Sequence, residues 1–154
     1  MSTRGTILDA MATQLLTITT ANGYSNNIAN VYRVVHHPDE ANATGVDITI
    51  LDDAGDAPLQ YASAGIVRTS MDISLLVDVW GGQRTEPTDG THPVSTITDA
   101  VIGDIRKLVF APVSLGANVL FVEMGASEGV AIGERRTRFT IPLAIHYKYD
   151  SAAP

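Results

Sequence analysis

The chain has no cysteine among its 154 residues. That excludes disulfides and thiolate metal sites and says nothing about compartment. Charge is also scarce, at 18% of residues, which leaves much of the surface free to pack against other subunits. Basic residues are the rarer sign: ten Lys and Arg stand against seventeen Asp and Glu, for a net charge of −7. A general nucleic-acid binder is basic, so sequence-specific reading of DNA is not expected. Long apolar runs are missing too. The longest uncharged stretch, Leu108 to Val122, is interrupted by Pro112, Gly116 and Asn118 and reads as a helix end, a turn and a strand, not a membrane span. The first apolar stretch follows a lone Arg4 and is broken by Asp9 and Gln14, so no signal peptide is expected.

Signatures of catalysis are likewise missing. There is no nucleophile elbow and no HExxH. No Lys-Ser or Lys-Thr follows the glycines at 125, 129 and 133, which excludes a P-loop. Asp72 and Asp78 share a strand face but would sit about 20 Å apart at the usual rise, too far for paired-carboxylate chemistry. Neither an enzyme nor a cofactor is expected.

What the chain does have is hydrophobic content of 45%, enough for one packed domain over 1–154. Its clearest segment is Ile66 to Trp80. Val67, Met71, Ile73, Leu75, Val77 and Val79 point one way, with Thr69 among them; Arg68, Ser70, Asp72, Ser74 and Asp78 point the other. Such alternation marks a strand with one buried and one wet face. Its length would be about 50 Å, against a diameter near 40 Å for a compact chain of this size. The strand therefore bends or leaves the body as an arm that another chain receives. Ile66 and Arg68, at its outer end, are candidate interface residues.

Helical spacing at Ile7, Leu8, Met11, Leu15 and Ile18 predicts a helix over about 4–19, opened by the capping pattern Thr6-Ile7-Leu8-Asp9 and stopped at Asn22-Gly23. A second helix is expected over about 96–110, with the same capping pattern at Thr96 to Asp99 and a stop at Ala111-Pro112. Strands are expected at 28–37, 46–51, 66–80, 118–125 and 136–149. Pro142 lacks a donor and should lie on an edge or at a bulge. The order α-β-β-β-α-β-β gives an α+β fold: a five-stranded, mainly antiparallel sheet with both helices on one face. The 46–51 and 66–80 strands would form a long β-hairpin arm.

Several clusters have ordinary readings. His36 and His37 are adjacent on a strand and point to opposite faces, so they cannot easily chelate one ion. His92 and His146 have no partner nearby in sequence. Asp47, Asp52, Asp53 and Asp56 fail the EF-hand spacing, since Ala54 stands where a ligand should be. The glycosylation pattern Asn42-Ala43-Thr44 carries no weight without a secretion signal. Gly125, Gly129 and Gly133 read as turn glycines between strands. No metal is expected. Arg135, Arg136 and Arg138, three of only ten basic residues, stand out. They would face an acidic neighbour, such as Asp52, Asp53 and Asp56 of another subunit, or DNA phosphates; a solvated strand end is the plain alternative.

The arrangement resembles the tail terminators of long-tailed bacteriophages, also called tail completion or minor tail proteins. The likeness lies in a leading helix ending at Asn22-Gly23-Tyr24, the strand VYRVV, the segment RTSMDISLLVDVW, the helix TITDAVIGDIRKLVF and the closing strand RFTIPLAIHYKYD. The resemblance implies a virion protein made in the host cytoplasm. It would form a homo-oligomeric ring, usually a hexamer, that ends tail-tube polymerisation and joins a head–tail connector or stopper protein. DNA would pass through the lumen, and no membrane would be involved. Six copies at −7 give a ring of about −42, a field along which DNA could slide without sticking. The alternatives are another neck or tail-tube protein and, in a different class, a cytosolic α+β ligand-binding or enzymatic domain.

Overall fold

The computed structural model describes residues 2–34, 45–52, 61–80, 94–111, 115–131 and 136–152. The expectations for His36, His37, Asn42 to Thr44, Asp53, Asp56, His92, Gly133 and Arg135 lie outside these residues.

Helix α1 spans Thr3–Leu15. Its cap is Ser2, whose Oγ accepts the Gly5 N–H at 3.1 Å, and not the Thr6 to Asp9 pattern. It ends at Leu15, short of the expected end at about 19. The Thr17 hydroxyl donates to the Gln14 carbonyl at 2.7 Å, the kind of local bond that competes with helix. A single 3-10 turn follows at Thr20–Asn22, closed by Gly23 at φ +83°, where the missing Cβ makes the left-handed conformation free of strain.

Helix α2 spans Val94–Val109, beginning two residues ahead of expectation. Val101, Ile105, Leu108 and Val109 are buried, at the i, i+4, i+7, i+8 spacing of a core-facing stripe. Its middle is tied to the turn after α1. The buried Asp104 carboxylate accepts the backbone N–H groups of Ser25 and Asn26, both at 2.9 Å, and the Asn26 amide at 3.1 Å. One turn on, Lys107 Nζ donates to the Gly23 carbonyl at 2.9 Å and lies 4.7 Å from the Tyr24 ring centre. Asp104→Ala strands two amides and is expected to cost about 1.5–3 kcal/mol, the range for bonds to a charged group, read as a lower urea midpoint at unchanged slope.

The fold is α+β, with a seven-stranded mixed sheet where five, mainly antiparallel, strands are expected. The strands are β1 (Ile28–Tyr32), β2 (Gly45–Asp52), β3 (Tyr61–Ser63), β4 (Ile66–Trp80), β5 (Val119–Met124), β6 (Glu128–Ala131) and β7 (Arg136–Asp150). The path is β1-β2-β4-β7-β5, with β3 beside β4 and β6 beside β7. The observed order is therefore α-β-β-β-β-α-β-β-β. Strands β3 and β6 are the additions, and β1 runs parallel to β2. Gly129 belongs to β6 and not to a turn; a Cβ there would lie 3.2 Å from Phe139 Cβ, so glycine lets the two strands close.

The long strand β4 has the expected bounds, but its partner is its own chain. It pairs antiparallel with β7 along its whole length, from Ile66 opposite Asp150 to Trp80 opposite Arg136. Strand β2 pairs only with Ile73 to Trp80, and β3 takes Ile66 to Arg68. The hairpin arm expected from 46–51 and 66–80 therefore does not include the outer part of β4. A second strand of equal length resolves the length problem without a neighbour.

Odd-numbered residues of β4 from Met71 to Val79 and of β7 from Phe139 to Tyr147, with α1, α2 and β2, form a single core that includes Met11, Leu15, Ile48, Met71, Leu75, Ile105, Ile141 and Ile145. Both helices thus cover one face of the sheet. Pro142 sits where β5 ends and β6 begins: its carbonyl accepts the Gly125 N–H at 2.9 Å. Carbonyl and nitrogen of one strand residue point the same way, so the missing donor faces a break in the ladder.

Candidate assembly surface

The arginine cluster is tied to an aspartate of its own sheet. Register sets Asp78 opposite Arg138, and Trp80 opposite Arg136. Arg138 donates through Nε to Asp78 Oδ1 at 2.9 Å and through Nη2 to Oδ2 at 3.1 Å. Arg136 donates to the same Oδ1 from Nε at 3.2 Å and Nη2 at 3.0 Å, and its guanidinium lies 4.3 Å from the Trp80 ring centre, within cation–π range. Asp78 is 2% exposed and Arg136 8%. Across the sheet Asp47 faces Asp78, and the Asn30 amide donates to Asp47 at 3.0 Å. Both arginines thus converge on Asp78, with Asp47 beside it, on the face of the sheet away from the helices. Of the residues expected at an interface, Arg136 and Arg138 come together here.

Asp52 lies elsewhere, at the end of β2, where it pairs with Arg4 of α1. The hydrogen bond to Asp52 raises the Arg4 pKa. Burial raises that of Tyr147, against the opposing charge of Arg4. Ile66 and Arg68 lie at the exposed far end of β4, where register sets Arg68 beside Lys148, two like charges across one ladder.

His146 has the partner that sequence distance concealed. Its Nε2 lies 2.9 Å from Glu123 Oε2, and its ring stacks on Phe121 at 4.1 Å. The signal was the pairing of β5 with β7, which places residues 121 and 123 beside 146. Among the described residues no group of three or more His, Cys, Asp or Glu could hold a metal.

The sheet has two edges with no outer strand among the described residues: β1 on one side, β5 and β6 on the other. The second carries exposed apolar side chains. Phe121 is 54% exposed and Phe110, at the end of α2, 55%; Leu120 is also exposed. With Val109, Leu115 and Val119 they line a half-open groove of about 560 Å³. On the first edge Val34, just past β1, is 71% exposed. Sequence reading missed this surface because Phe110, Leu120 and Phe121 fit their helix and strand patterns; only the topology shows that they lie outside the core.

No helix among the described residues is long and apolar enough to cross a membrane. No protein-family model matches the chain, and no curated protein aligns with it significantly.

Proposed function

We propose that this chain is a ring-forming structural protein of a phage virion, a tail terminator that closes the head-proximal end of the tail tube. The observation that carries the reading is the pair of unlike sheet edges. Each lacks an outer strand among the described residues; exposed Val34 lies beside the first, and exposed Phe110, Leu120 and Phe121 beside the second. A bare apolar edge is an association site, and two unlike edges join head to tail, which generates a ring when the rotation closes. The acidic chain and its arrangement, which resembles tail terminators, supply the remainder: a hexamer between tube protein and connector, with DNA passing through it.

Electron microscopy of the purified protein should give rings with a central hole, and antibody should label intact tails only at the head-proximal end. A monomer at assembly concentrations, or label scattered along the tube, refutes the reading. The Phe110–Phe121 groove favours one rival, a monomeric domain that binds a small apolar ligand. Sedimentation separates the two.

A further inference from the structure

The ladder registers fix the height of each edge strand along the sheet. Strand β1 runs from Ile28, beside Val46, to Tyr32, beside Thr49; through β2 these stand at the heights of Val79 and Leu76 of β4. On the opposite edge, Glu128 pairs with Thr140 and Ala131 with Thr137 of β7, which stand at the heights of Leu76 and Val79. Strands β1 and β6 therefore occupy the same band of the sheet at its two ends. They also run in opposite directions. Strand β1 is parallel to β2, β2 is antiparallel to β4, β4 to β7, and β7 to β6.

Two copies set side by side in the same orientation would bring β1 of one against β6 of the next, level and antiparallel, with no shift along the strands. Antiparallel addition to a free edge is a common mode of recognition. The edges also differ in charge. Residues 28–34 hold one cation, Arg33, and no acid, whereas residues 119–131 hold Glu123 and Glu128 and no cation. Arg33 is paired with Asp9 of α1, but both side chains are exposed, and such a pair is weak enough to exchange. The β6 edge is Glu-Gly-Val-Ala.

We infer that the subunits of the ring join by β1–β6 pairing, so that one sheet continues from copy to copy, with Tyr32 of one beside Glu128 of the next. This rests on the ring reading above and adds the joint, its direction and its register. Val34 of one copy then reaches the lower end of β5 on its neighbour, just past the Gly125–Pro142 break.

The lack of cysteine makes the test clean. Tyr32 and Glu128 share a height and a sheet face, and directly opposed residues of an antiparallel pair are within disulfide reach. The double variant Tyr32→Cys with Glu128→Cys, oxidised and run without reductant, should give a ladder of covalent oligomers that ends at the ring size. Each single variant should give none. Dimers from either single variant would mean that like edges meet and would overturn the joint. Stronger linking by Tyr32→Cys with Phe121→Cys would overturn the register.

Hydrogen exchange on the unmodified protein covers the case in which a variant fails to fold. Amides on the outer sides of β1 and β6 should slow by at least tenfold on assembly. Rings without that slowing refute the joint and leave the ring reading standing, whereas a monomer under all conditions removes both.

Discussion

Asp78→Ala is expected to cost about 3–5 kcal/mol of folding stability, the range for breaking a buried ion pair from one side. The carboxylate receives four hydrogen bonds from two guanidinium groups. Its loss removes the charge that both Arg136 and Arg138 are bonded to, in a site where Arg136 is buried. Asp78→Asn keeps the shape and tests the charge alone, and should recover little. Urea denaturation of both variants at neutral pH checks this; a loss below about 1 kcal/mol, the worth of an exposed pair, would mean that the knot is loose. The same geometry decides how the arginines can be used as probes. Arg136→Glu sets a second carboxylate against Asp78 in a buried site, so it reports on folding before it reports on assembly.

Ile73→Asp should abolish folding. Ile73 is buried in the middle of β4, between Asp52 of β2 and Leu143 of β7. The substitution removes a buried aliphatic side chain, worth about 2–5 kcal/mol with its cavity. It also forces a carboxyl group into an apolar site, at several kcal/mol more. Together these approach the whole stability of a typical domain, about 5–15 kcal/mol. Circular dichroism and sedimentation of the purified variant should report an unfolded or aggregated chain. A native spectrum with a cooperative melt would show that position 73 does not face the core.

Strand β4 was legible to its last residue because fifteen positions of alternation leave no other reading, and β7 was nearly so. The two short strands were not. Tyr61–Ser63 and Glu128–Ala131 are too brief for a period to emerge, and Gly129 looks like a turn residue until Phe139 is seen beside it. The parallel pairing of β1 with β2 leaves no local trace. The candidate surface failed for a related reason. Alternation assigns a residue to a face, but register decides what it meets. Alternation puts Asp78 on the wet face and leaves Arg136 and Arg138 to face a neighbour; the register of β4 with β7 brings them together. Phe121, Glu123 and His146 became a cluster by the same route.

The β4–β7 ladder also sets when this molecule can exist. Every pairing in it joins residues more than fifty positions apart, so the centre of the sheet closes only after the intervening chain has been made and searched. Non-local ladders of this kind fold slowly. During synthesis, at about 5–20 residues per second, β4 emerges several seconds before β7 and waits with one edge unpaired. A ribosome stalled before residue 136 would hold a chain without the β4–β7 pair and without the β6 ladder that forms on β7. The two outer strands β1 and β6 are therefore both in place only once β7, on which β6 pairs, is complete.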